Sequence, residues 1–204
     1  MVFVFIASLF IGTNMSLARN VRKLEWLYSE GMISPDGAYT QPSIKSQVDV
    51  SMDCALRLYT SAANYIEDSE VALWSDRLKQ QRESYMRWQE NNNARDFTIS
   101  SRATIYAAVA DASEHLYAAL QNADLTARDV EAIDAYYKDL MSARTLITAL
   151  AERYNNEVDS MNKSAEVYPA RFFAADRIEL NLHYSAFPSV SEITWTDNGW
   201  GATY

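Results

Sequence analysis

TARDVEAIDAYYKDLMSARTLITALAERYNNEVDSMNKSAEVYP, residues 126–169, decides the fold of this chain. Ile133, Tyr137, Leu140, Arg144, Ile147, Ala151, Tyr154, Val158, Met161 and Ala165 recur at alternating spacings of four and three. That is the heptad pattern of a helix with one seam to bury. A run of roughly 35 residues at 1.5 Å per residue is about 50 Å long. Thr126 can cap its start, with Asp129 three residues on as a weak capping box. Pro169 ends it. A helix this long must lay its seam on others of comparable length, which predicts an all-α, elongated antiparallel bundle.

Working outward, the same period appears three more times. Ile44, Val48, Met52, Ala55, Leu58, Ala62 and Tyr65 define a helix from about Ser43 to Glu67. Asp68-Ser69 breaks it, with Ser69 the candidate N-cap of the next. Val71, Trp74, Leu78, Gln81, Tyr85 and Trp88 form a third stripe. Asn91-Asn92-Asn93, all poor helix formers, interrupt it. Thr98 can cap a fresh start, after which Ile99, Tyr106, Val109, Ser113, Leu116 and Leu120 resume the stripe. Before all of these, Val21, Leu24, Leu27 and Tyr28 mark a helix that Gly31 can stop. Ser34-Pro35-Asp36-Gly37 reads as a turn. Phe172, Phe173 and Ile178 suggest a short helix folding back after Pro169.

The composition agrees. Five glycines and four prolines in 204 residues are few, and that disfavours a turn-rich all-β fold. The formal charge of -9 falls entirely after residue 18. An acidic chain with no basic patch repels nucleic acid, so a nucleic-acid partner is not expected. Cys54 is the single cysteine and can form no internal disulfide; beside Ala55 on a helix it reads as a small buried hydrophobe.

Residues 1–18 carry no side-chain charge and begin with an apolar run from Val2 to Gly12. Three readings compete: a retained single-pass membrane anchor, a signal peptide with Ser16-Leu17-Ala18 at its cleavage site, and a core helix. A signal peptide normally has basic residues before its apolar run, and a core helix should show a polar face. The anchor is therefore the preferred expectation. Arg19, Arg22 and Lys23 follow directly and place the remainder on the cytoplasmic side, with an extracytoplasmic domain the alternative. The expected organisation is an anchor over 1–18, a bundle over 19–188 and an aromatic tail over 189–204.

Chemistry has little to stand on. His115 and His183 are the only histidines. A di-metal bundle needs two Glu-x-x-His pairs, and none occurs. Glu179 and His183 are spaced i, i+4, which most simply makes a surface ion pair. Phosphate-binding loops, zinc-protease motifs and nucleophile elbows are absent. No catalytic residue, cofactor or metal ligand is expected. Arg144 in the seam must snorkel or pair with a carboxylate. Trp195 and Trp200 are the one aromatic cluster outside helical spacing, and they are the candidate partner contacts.

Tyr154-Asn155, Val158, Asn162 and Tyr168-Pro169, with Gln47-Val48-Asp49-Val50 and the apolar segment followed by Arg19-Asn20-Val21, resemble the LemA family across nearly the whole chain. Met52-Asp53-Cys54 stands where that family has a basic cluster, and residues 31–42 insert a turn-rich stretch, so the likeness is to a divergent member. The resemblance implies a small, membrane-anchored bacterial bundle of long antiparallel helices with no settled molecular function. Gln47, Asp49, Tyr154, Asn155, Val158, Asn162, Tyr168 and Pro169 would be structural signature positions. The preferred function is a non-enzymatic scaffold or protein-interaction module; the rival is a ligand-binding or sensory bundle at the membrane.

Overall fold

The computed structural model describes residues 2–33, 40–90, 99–166, 192–196 and 199–203. They are mostly helical, as the periodicity predicts. Among the described residues there are five α-helices: α1 (Val2–Ser29), α2 (Ile44–Ala62), α3 (Ser69–Glu90), α4 (Ile99–Asn122) and α5 (Ala127–Glu166). A turn of 3-10 helix, Ala63–Tyr65, follows α2. Two small antiparallel hairpins join them, β1 (Met32–Ile33) with β2 (Thr40–Gln41), and β3 (Glu192–Thr196) with β4 (Gly199–Thr203). The chain divides into two compact units: residues 1–45 with 150–183, and residues 46–149 with 184–204.

The larger unit holds α2 from Ser46, then α3, α4 and the first part of α5. Cross-helix contacts fix their directions. Tyr85 near the end of α3 donates to Asp49 near the start of α2, so these two run antiparallel. Tyr106 near the start of α4 donates to Ser51 of α2, so α4 runs with α2. Tyr117 late in α4 stacks on Tyr137 early in α5, and Glu114 pairs with Arg144, so α5 opposes α4. This is an up-down-up-down four-helix bundle.

Its core is the set of predicted stripes. Val48, Met52, Ala55, Leu58 and Ala62 of α2 are buried with Val71, Leu78 and Tyr85 of α3, and with Ile133, Leu140 and Ile147 of α5. Helix α4 is buried more completely, through Tyr106, Ala108, Val109, Ala112, Leu116 and Leu120. Its alanines keep side-chain bulk low, and it lies close against α3. Cys54 is buried and free, as expected.

The helix boundaries follow capping chemistry. Thr126 caps α5: its hydroxyl accepts from the Asp129 N–H at 3.2 Å and donates to the Asp129 carboxylate at 2.9 Å. In a capping box the third residue would accept from the cap's own N–H. Here the Tyr65 hydroxyl accepts from the Thr126 N–H at 3.3 Å and donates to Asp129 at 2.5 Å. At the start of α3 the cap is Asp68 rather than Ser69. Its carboxylate accepts from the N–H groups of Glu70 and Val71 at 2.8 and 3.2 Å. A carboxylate at a helix N-terminus also gains from the dipole. The interruption after α3, with Thr98, lies at residues 91–98, outside the described residues.

The smaller unit contains α1, the β1–β2 hairpin and α5 from Leu150. Tyr28 packs edge-on against Tyr154 with ring centroids 6.4 Å apart, and Lys23 pairs with Glu157 at 2.8 Å. These contacts make α1 and this part of α5 antiparallel. Gly31 ends α1 as predicted. The N–H groups of Glu30 and Gly31 both donate to the Trp26 carbonyl, and Gly31 has a φ of 83°. A Cβ there would collide with the Gln41 carbonyl, so glycine is required twice over. The predicted turn at 34–37 lies outside the described residues, between the strands that the sequence reading had not found. Arg153 donates to the Gln41 side chain at 2.6 Å.

The membrane expectation is corrected here. No helix among the described residues is long and apolar enough to cross a bilayer, so the single-pass anchor over residues 1–18 is not supported, and the topology argued from Arg19, Arg22 and Lys23 goes with it. The reason is legible in the chain. The apolar run ends at Gly12, about 18 Å of helix against a hydrocarbon core of about 30 Å. Thr13, Asn14, Ser16 and then Arg19 continue the same unbroken α1.

Candidate functional site

Two places in the four-helix unit gather unusual side chains. The first is a groove between α2 and α5. It has a volume of about 480 Å³ and is lined by Gln47, Val50, Asp53, Cys54 and Arg57 of α2, and by Tyr136, Asp139, Ser142, Ala143 and Leu146 of α5. Cys54 and Ala143 are buried at the edge of the core, and the other lining residues are half-buried or exposed on the helix flanks. Val50 and Leu146 are large apolar residues left exposed, at 43% and 38%. Asp53 and Asp139 place a carboxylate on each helix. The Arg57 guanidinium sits 5.8 Å from the centre of the Tyr136 ring, within cation–π range. Burial pushes the Cys54 thiol pKa up; Asp139 pushes it further, Arg57 opposes, and Asp53 adds a smaller rise. A thiol held in its neutral form is a poor nucleophile.

The second place is a clasp holding the β3–β4 hairpin to the bundle. The Trp195 indole N–H donates to the Asp111 carboxylate of α4 at 2.6 Å. Its ring meets Trp74 of α3 edge-on at 5.7 Å and 88°. Trp74 in turn stacks on His115, with centroids 4.0 Å apart and planes 8° from parallel. Arg77 lies over both indoles, 4.5 Å from Trp74 and 5.2 Å from Trp195. His115 Nε2 is 3.8 Å from the same Asp111 oxygen. Trp195 therefore has an intramolecular partner on every face these contacts describe. In register, Trp200 of β4 stands opposite Trp195.

The remaining predicted positions are scattered. Gln47 lines the groove, and Asp49, two residues on, accepts from Tyr85 at 3.3 Å. Tyr154 and Val158 are buried in the smaller unit. Asn155 is half-buried there. The Asn162 side-chain oxygen is buried with no hydrogen-bond partner among the described residues. Tyr168, Pro169, Glu179, His183 and the predicted short helix lie outside the described residues. Arg144 does pair with a carboxylate, donating to Glu114 at 2.6 Å.

The sequence reading missed the groove's charged residues and three members of the clasp: Asp111, Trp74 as a hairpin contact, and Arg77. Asp53 and Arg57 at i, i+4, and Trp74 and Arg77 at i, i+3, were visible as local pairs. Nothing in the sequence brought α2 to α5, or Trp195 to Asp111.

The fold of the larger unit belongs to the class of up-down-up-down helical bundles, here with a hairpin clasped to one side. No protein-family model, no curated protein and no solved structure matches the chain.

Proposed function

We propose that this chain acts by binding another protein, as a helical-bundle interaction module whose contact surface is the α2/α5 groove. The observation that carries the reading is Val50 and Leu146, exposed on either side of a groove of about 480 Å³. An apolar groove with polar flanks between two helices is a common way to receive a partner helix. The rival, a small-molecule sensor, draws on the same volume, which lies in the usual range for ligand sites. The exposed rims favour a macromolecule, because a small ligand is normally enclosed over most of its surface. The likeness to the LemA family belongs to the same proposal. It rests on the sequence alone: Gln47-Val48-Asp49-Val50, Tyr154-Asn155, Val158, Asn162 and Tyr168-Pro169, and the apolar segment followed by Arg19-Asn20-Val21.

Site-specific photo-crosslinking in cells tests the reading. A crosslinking residue at Val50 or Leu146 should give one defined adduct, and the same residue at Leu73, exposed on α3, should not. No adduct from either groove position, or an equal one from Leu73, would end the proposal. A thermal-shift rise with a metabolite, lost on Leu146→Glu, would favour the sensor instead.

A further inference from the structure

Resting on the groove as the binding surface, we infer that its partner is a basic amphipathic helix, received between Asp53 on α2 and Asp139 on α5. The groove has the length for one face of such an occupant. Its lining runs from Gln47 to Arg57 on α2 and from Tyr136 to Leu146 on α5. Each stretch is about 15 Å of helix, close to three turns. An occupant of that length presents apolar residues at i, i+3 or i+4, and i+7 to the floor. The floor is apolar in the middle, through the buried Cys54 and Ala143, with the exposed Val50 and Leu146 on either side of it.

Charge sets the flanks. The lining carries two carboxylates and one guanidinium, and that guanidinium is turned onto the Tyr136 ring. The carboxylates stand on opposite helices, so both edges of a seated helix meet negative charge. The chain as a whole is at -9, which steers a cationic partner and repels an acidic one. An acidic or uncharged helix gains the apolar contact and loses the edges.

Two synthetic 18-residue helices test this against the full chain by fluorescence anisotropy at 150 mM salt. Both carry leucine at i, i+3, i+4 and i+7; one has lysine on the flanks and the other glutamate. The lysine peptide should bind at least about tenfold more tightly, and more weakly as salt rises. Asp53→Asn with Asp139→Asn should cost it about tenfold. Removing the same charge from α3, by Asp76→Asn with Glu83→Gln, should cost less than about twofold. Equal loss from the two charge-matched variants would mean non-specific attraction and would overturn the inference. Equal binding of the two peptides, abolished by Val50→Ser with Leu146→Ser, would leave the groove in place and remove its preference for basic partners. No binding of either peptide would remove both.

Discussion

Cutting the clasp at Trp195 should free the β3–β4 hairpin without unfolding the bundle. Three contacts set the size of the effect. The indole N–H bond to Asp111 is 2.6 Å long and its acceptor is a carboxylate; bonds to charged groups are worth about 1.5–3 kcal/mol, less where solvent reaches them. The edge-on contact with Trp74 contributes about 0.5–1.5 kcal/mol. The partly exposed Arg77 over the ring adds about 0.5–1 kcal/mol. Discounted for solvent and non-additivity, Trp195→Ala should cost the docked hairpin about 2–4 kcal/mol. Amide exchange in β3 should therefore accelerate roughly 30- to 1000-fold. Amides beside Ile133 and Ile147, buried in α5, should keep their rates. Trp195→Phe retains a ring and loses the N–H, so it should fall between. Unchanged exchange in β3 of the alanine variant would refute the clasp. Equal acceleration in the α5 core would show that hairpin and bundle open together.

Other perturbations probe single features. Tyr106 is fully buried and its hydroxyl pKa is pushed up to about 12 by burial. A folded value above the unfolded one of about 10 gives stability that is complete below pH 10 and lost as pH rises towards 12. Tyr106→Phe should flatten that alkaline limb in urea titrations, and an identical limb in the variant would assign it elsewhere. At the acid end, hydrogen bonds from Tyr65 first and Thr126 second hold the Asp129 carboxyl below its usual range. Their stabilisation is present above the unfolded carboxylate value of about 4 and lost as pH falls through the folded one. Tyr65→Phe should therefore weaken the protein at neutral pH and narrow its difference from the parent below pH 4. Gly31→Ala forces a side chain into a φ of 83° and onto the Gln41 carbonyl. It should destabilise the smaller unit by about 1–3 kcal/mol in denaturant, and a neutral result would mean the α1 stop is not held as described. Asn162→Ala should be neutral or stabilising by about 0.5 kcal/mol, because it removes a buried oxygen with no described partner and improves helix propensity. A loss above about 1 kcal/mol would restore a bonding role for that side chain.

What the sequence disclosed, and what it withheld, divides along the range of the interactions. The α5 seam, the Thr126 cap, the Gly31 stop and the burial of Cys54 depend on neighbours within a few turns, and each was readable as spacing. Asp68 displaced Ser69 as a cap because two adjacent polar residues offered the same chemistry and only geometry chose between them. The apolar start of α1 was over-read, since local hydrophobicity suggested a span while the run was too short to make one. The clasp joins residues 84 apart in the chain, and the groove joins the flanks of two helices, so neither leaves a local pattern. Residues 153–162 look distinctive for their asparagines, yet Tyr154, Val158 and Met161 are the residues of that stretch in the core. The apolar residues of that stretch hold the architecture together. Any search for recognition then moves to the flank of the same helix about one to three turns before Leu150, where Asp139 and Leu146 line the groove.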